Sequence, residues 1–207
     1  MNKIIIVCGS QRKNSQSLKV SNYIENRLNE KSGKNCDVAA INLINEELHL
    51  WDEDFPDSSE KWGKNWTPVG EKLSTADALI IVSPEWGGMV PPILKNFFLL
   101  CGEKELGHKP ALIVSLTSGL LGGSYPVSEL RSSSYKNNKL CFLPEHLIIK
   151  EVGKHLNDHK NHESPADQEI RNRIDFCLEI LLLYAEAFKT IRAHPEVIFN
   201  KEYAYGM

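Results

Sequence analysis

Lys3-Ile4-Ile5-Ile6-Val7-Cys8-Gly9-Ser10-Gln11-Arg12-Lys13-Asn14-Ser15-Gln16-Ser17 decides the fold. Residues 3–8 are β-branched and apolar almost without a break, the pattern of a strand buried on both faces in a parallel sheet covered by helices. The run stops at Gly9-Ser10. Residues 15–31 then carry Val20, Tyr23, Ile24 and Leu28 at helical spacing, with Ser15 or Ser17 available as the N-cap. Strand, tight loop and helix in that order open a βαβ unit.

The same alternation recurs outward from this stretch. Residues 36–43 and 77–83 read as strands, the latter preceded by a short helix at 69–74, and a helix from Pro92 to about Cys101 leads to a fourth strand, 111–116. A helix over 126–136 and a strand over 140–151 follow. The last helix is the clearest element. Ser164-Pro165-Ala166-Asp167 supplies a cap, a proline at the first helical position and an acid at the third, and Ile170, Ile174, Cys177, Leu181, Ala185 and Phe188 then share one face. This helix, about 165–193, should end near His194-Pro195 and leave a short tail. Five strands alternating with helices predict an α/β fold built on an open, doubly wound parallel sheet, with ligands bound beyond the carboxyl ends of its strands. The tract from Trp51 to Trp66 reads as an ordered, acidic loop.

Composition narrows the function. The 207 residues suit one domain, 1–207. With 24 Lys+Arg against 27 Asp+Glu, the net charge of −3 offers no basic excess for nucleic acid and no strong acidity for docking to protein carriers. The apolar runs are far shorter than the ~20 residues of a membrane helix, and the N-terminus enters a strand directly, so a cytoplasmic protein without a membrane partner is expected. The five cysteines are odd in number and form no Cys-x-x-Cys pair, which predicts neither a disulfide framework nor a zinc ribbon. His155, His159 and His162 have helical spacing, but residues 153–162 read as a solvated connector, and no metal site is expected.

Two loops carry the chemistry. After the first strand, the hydroxyls of Ser10, Ser15 and Ser17, the Arg12 guanidinium and the free amides of a helix N-terminus are what a phosphate dianion needs. The loop matches neither Gly-x-x-x-x-Gly-Lys-Ser/Thr nor Gly-x-Gly-x-x-Gly, which argues against a nucleoside triphosphatase and against a Rossmann dinucleotide site. After the third strand, Ser83-Pro84-Glu85-Trp86-Gly87-Gly88 places a rigid proline, an acid, an indole and two glycines beside a buried edge. Glycine lets backbone amides approach a flat heteroaromatic ligand closely.

Gly-Ser-x-Arg-x-x-Ser after the first strand, with Pro-Glu-aromatic and Pro-x-x-Leu-Lys-Asn after the third, resembles the NADPH-dependent FMN reductase family over roughly residues 3–150. Asp52-Glu53-Asp54 falls where that family often has an acidic stretch. Ser118-Gly119, Gly122-Gly123 and Leu130-Arg131 are similar to its third loop and the helix after it. The resemblance implies a flavodoxin-like sheet of order 2-1-3-4-5, and FMN as cofactor with NADPH or NADH as co-substrate. It places the FMN phosphate on Ser10, Arg12, Ser15 and Ser17, with Gln16 also cofactor-binding. The ring would lie along Pro84, Glu85, Trp86, Gly87 and Gly88, with Thr117, Ser118 and Gly119 at another edge. The chemistry then belongs to the flavin, with no catalytic side chain and a small-molecule electron acceptor: a quinone, azo compound, flavin or metal oxyanion. The family's Pro-Glu-Tyr-Asn is Pro-Glu-Trp-Gly here, its Pro-Gly is Pro91-Pro92, and its acid three residues past the asparagine is Leu99.

Two further readings stand beside the reductase at this point, a flavodoxin-type electron carrier and a flavin-free binding domain of the same fold. On either flavin reading, the phosphate pocket and the ring loop are separate. A homodimer or tetramer is expected, because Leu181-Leu182-Leu183 and the tryptophan-rich tract hold more apolar surface than one sheet face covers.

Overall fold

The computed structural model describes residues 1–32, 36–55, 60–157, 164–199 and 202. Asn2–Cys8 forms β1, Gln16–Ser32 α1, Cys36–Asn42 β2, Leu43–Glu46 α2, Glu60–Asn65 α3 and Thr67–Ser74 α4. Ala78–Pro84 (β3), Pro92–Leu100 (α5), Glu103–Leu106 (α6), Pro110–Leu116 (β4), Ser124–Ser133 (α7) and Cys141–Ile149 (β5) follow, then Pro165–Arg192 (α8) and Pro195–Phe199 (α9). All strand pairs are parallel, in the order β2-β1-β3-β4-β5. This is the doubly wound sheet that the alternation predicts, in the flavodoxin-like order that the resemblance implies.

The apolar runs are explained by burial on both faces. Ile4, Ile6, Ile80, Val82, Leu112 and Val114 pack towards α1 and α8, whereas Ile5, Val7, Leu79, Ile81, Ala111 and Ile113 pack towards the layer holding Trp62, Leu94 and Phe97. Neither face of a central strand meets water, so the runs are apolar apart from the buried Ser83 and Ser115 near the carboxyl ends of β3 and β4. The chain winds from β1 to β2 in one direction and from β3 onward in the other. The crevice beyond the carboxyl ends of β1 and β3 is therefore the switch point where such sheets take ligands.

α8 closes one face. Ser164 Oγ accepts the Asp167 N–H at 3.1 Å, and Ile174, Cys177, Leu178, Leu181 and Ala185 are buried on the sheet. Arg27 Nε lies 3.0 Å from Asp175 Oδ1, Lys31 Nζ 2.7 Å from Glu179 Oε1, and Arg192 Nη2 2.8 Å from Asp77 Oδ1. The five thiols are free, and all but the half-buried Cys141 are buried.

Three expectations need correction. The 51–66 tract is not a loop throughout: residues 60–65 form α3, because Trp62 and Trp66, four residues apart, turn inward against Phe55 and Phe97. These two indoles are thereby buried in their own chain and add nothing to a subunit contact. Of Leu181-Leu182-Leu183, Leu183 alone is exposed. The connector after β5 is held rather than solvated up to residue 157: Val152–Lys154 forms a 3₁₀ turn, Leu156 is buried, and His155 Nδ1 lies 3.6 Å from Asp167 Oδ1. His159 and His162 lie outside the described residues. Among the described residues no three His, Cys, Asp or Glu side chains are grouped to hold a metal ion, and no helix is long and apolar enough to cross a membrane.

Candidate functional site

The loop after β1 is built as an anion cradle. Ser15 Oγ accepts the Leu18 N–H at 3.0 Å, making Ser15 the N-cap of α1, and Ser10 Oγ accepts the Arg12 N–H at 3.2 Å. Ser17 is 1% exposed and its Oγ has no hydrogen-bond partner among the described residues. An unpaired hydroxyl at such depth is costly, and in a native fold it calls for a ligand or water. The amides of Gln16 and Ser17 are also unpaired among the described residues. Two free amides at the N-terminus of a 17-residue helix present partial positive charge to the same place.

The loop after β3 holds a tight turn. Trp86 and Met89 exchange both backbone hydrogen bonds at 3.0 Å, and the residues between them, Gly87 at φ +57° and Gly88 at φ +75°, lie in the left-handed region. This is the geometry of a type I′ turn, which glycine enters at least cost. The amides of Gly87 and Gly88 have no partner among the described residues.

Glu85 does not point along this turn. Its Oε2 accepts the Gly123 N–H at 2.6 Å, while Ser115 Oγ donates to the Gly123 carbonyl, also at 2.6 Å. Gly123 caps α7, so the carboxylate ties the loop after β3 to the loop after β4. In that third loop Thr117 Oγ1 accepts the Gly119 N–H at 3.2 Å, and the Thr117 carbonyl accepts the Val152 N–H at 3.1 Å.

These loops enclose a cleft of about 240 Å³. Ser10, Arg12, Ser15, Gln16 and Ser17 line it from the first loop, Pro84, Glu85 and Trp86 from the second, and Thr117 and Ser118 from the third. Gly87, Gly88 and Gly119 adjoin the lining residues in sequence without lining the cleft themselves. Asn14, Leu116 and Val152 also line it. Asn14 stands inside the first polar loop and was legible there; Val152 comes from beyond β5 and carries no local signal. Lys19 Nζ brings that segment in by donating to the carbonyls of Val152 at 2.8 Å and His155 at 2.7 Å. Burial pushes the Lys19 pKa down, against the pull of Asp167. The first and second loops also touch, since Arg12 Cζ lies 5.3 Å from the centroid of the Trp86 ring. The cleft is smaller than the ~300 Å³ at which whole-ligand pockets begin, which suits one end of a ligand whose remainder lies along the Trp86–Met89 turn.

The Pro-x-x-Leu-Lys-Asn segment has a structural explanation. The buried Asn96 accepts the Trp51 N–H and donates to the His49 carbonyl, both at 2.8 Å, pinning that segment to α5. A larger cleft of about 500 Å³ lies between α5 and α7, where Lys95 pairs with Glu129 and Leu99 is exposed.

A 2-hydroxy-1,4-benzoquinone reductase from a Burkholderia species is 26% identical over 152 residues, covering 70% of this chain and 78% of that protein. A quinone reductase from Pseudomonas putida is 27% identical over 124 residues, covering 58% of this chain and only 62% of that one. Among solved structures, FerB, a flavoenzyme NAD(P)H:(acceptor) oxidoreductase from Paracoccus denitrificans, shares the fold with a TM-score of 0.65 at 14% identity, over 91% of this chain and 99% of that one. The family model for NADPH-dependent FMN reductase matches residues 2–154, from β1 through the 3₁₀ turn and across all three loops of the cleft. The chain belongs to the NADPH-dependent FMN reductase family.

Proposed function

We propose that the protein uses FMN in this cleft to pass electrons from NAD(P)H to a small acceptor, a quinone or azo compound first, with free flavin or a metal oxyanion as further candidates. The observation that carries the reading is the buried, unpaired Ser17 hydroxyl beside the free amides of α1, in the same cleft as Trp86 and Thr117. These donors fit a phosphate monoester. Ser10, Arg12, Ser15, Gln16 and Ser17 would hold it, with the α1 dipole offsetting its charge.

FMN, when bound, supplies a ring that accepts hydride and donates electrons. The chain supplies position. The Gly87 and Gly88 amides and the Thr117–Gly119 edge offer hydrogen bonds to the polar rim of the ring, and Trp86 offers an apolar face. Glu85 fixes the distance between these two walls through Gly123. Its Oε2 is taken by that bond, a structural role that agrees with a reaction that asks no side chain to act as acid or base.

The same reading makes the chain one domain, since α8 lays its apolar face on the sheet, and places it in the cytoplasm, where five unpaired thiols suit a reducing compartment. It also makes the protein a homodimer or tetramer. Exposed Met89, Leu99 and Tyr135 near the α5–α7 cleft, and Phe176 and Leu183 on α8, support association.

The visible spectrum of the purified protein before and after addition of FMN tests the cofactor, and oxidation of NADPH and NADH with a quinone acceptor tests the turnover. Flavin binding with nicotinamide oxidation is expected. Flavin binding without turnover would make the protein a carrier, and a folded protein that binds no FMN would make it a partner-binding domain.

A further inference from the structure

Arg12 and Trp86 come from different loops, after β1 and β3, which are neighbours in the sheet. The Arg12 backbone is fixed by the Ser10 hydroxyl, but its exposed guanidinium makes no hydrogen bond or ion pair among the described residues. The guanidinium lies over the Trp86 ring, with Cζ 5.3 Å from the ring centroid. The backbone that carries the indole is tied, because Trp86 is bridged to Met89 by two hydrogen bonds across the Gly87-Gly88 turn.

A guanidinium over the face of an indole is attracted by the ring while keeping N–H donors that the ring does not take, so it can rest on the indole and donate to an oxyanion at once. An unsupported arginine would instead lose rotamer freedom on gripping the anion, and that loss would come out of the affinity. We infer that Trp86 is a positioning residue for Arg12 and thereby favours the phosphorylated flavin over riboflavin. The inference rests on the FMN reading and goes beyond it, for it gives a residue of the ring loop a role at the phosphate end. A phosphate takes charge-assisted bonds from Arg12, whereas the terminal hydroxyl of riboflavin offers no charge for that arginine to meet. An indole acting only on the ring would serve both flavins alike.

The test is a set of dissociation constants for FMN and for riboflavin, read by flavin fluorescence, with inorganic phosphate as a competitor of FMN. Trp86→Leu should weaken FMN about two- to fivefold more than it weakens riboflavin, the range an exposed cation–π contact supplies. Phosphate should become a poorer competitor in the same variant. Trp86→Phe, which keeps a ring for the guanidinium, should recover most of the preference. In an Arg12→Ala background, Trp86→Leu should no longer discriminate between the flavins. Equal losses for both flavins, or an unchanged FMN-selective loss without Arg12, would overturn the inference while leaving the FMN reading intact. A wild-type protein that binds neither flavin removes the FMN reading, and the inference falls with it.

Discussion

Gly87 stands where the family usually has asparagine, and its backbone says how much that change costs. At φ +57° the position excludes most side chains, but asparagine tolerates the left-handed region, and Asn-Gly is a favoured pair for the turn seen at Gly87-Gly88. A β-carbon there would meet only the end of Met89, at 3.8 Å. Gly87→Asn should therefore leave the melting temperature nearly unchanged and tighten FMN by about 0.5 to 1.5 kcal/mol if its amide reaches the ring. Gly87→Val should cost about 1 to 2 kcal/mol of stability for backbone strain alone. Thermal melts with flavin titrations check both, and equal behaviour of the two variants would count against the turn. Arg12→Ala should weaken FMN roughly ten- to a hundredfold, the value of a charge-assisted contact, without changing the melt of the flavin-free protein.

Among the elements, what was legible is what is local. The buried strands show as unbroken apolar runs, α8 as a capped periodic helix, and the first loop as hydroxyls before a helix, since each signal lies within one continuous stretch of chain. What was not legible is packing between segments of the chain. Trp62 and Trp66 look like loop aromatics until Phe55 and Phe97 are placed against them, and Glu85 looks like a ring contact until Gly123, 38 residues on, is seen to take its carboxylate. That tie has a measurable strength. Glu85→Ala should leave the Gly123 amide unpaired and cost about 1.5 to 3 kcal/mol, the range for a hydrogen bond to a charged group, whereas Glu85→Gln keeps an acceptor and should recover most of it. Amide exchange at Gly123 under native conditions should quicken in the alanine variant. If protection there is unchanged, the two loops do not depend on this carboxylate.

At the scale of the molecule, α8 lies beyond the span that matches the family, so its attachment is a property of this chain to be tested separately from flavin. Besides the Lys31–Glu179 and Arg192–Asp77 pairs, two aspartates of α8 with lowered pKa values fasten it. Burial works against a charged Asp167, but the bonds from Arg171 Nε at 2.8 Å and the Leu156 N–H at 2.7 Å, with the charges of Arg171 and His155, outweigh burial and hold its pKa below the usual value. Asp175 is lowered chiefly by the Arg27 side chain, against burial, with Lys31 adding to the pull. In both cases the unfolded chain takes up protons first as the pH drops, so the stabilisation is complete above the ordinary aspartate pKa of about 3.9 and is lost as the pH falls below it. Urea unfolding of the flavin-free protein between pH 7 and pH 3 should show stability declining below about pH 4. Asp167→Asn should lower stability at pH 7 by about 1 to 3 kcal/mol and flatten the acid decline, since the titrating group is gone. Asp175→Asn should do the same by a smaller amount, because that pair is partly open to solvent and screened by it. Variants whose stability runs parallel to the wild type down to pH 3 would mean that neither aspartate holds α8, leaving its apolar face, with Ile174, Leu178 and Leu181, and the Lys31–Glu179 and Arg192–Asp77 pairs to keep it on the sheet.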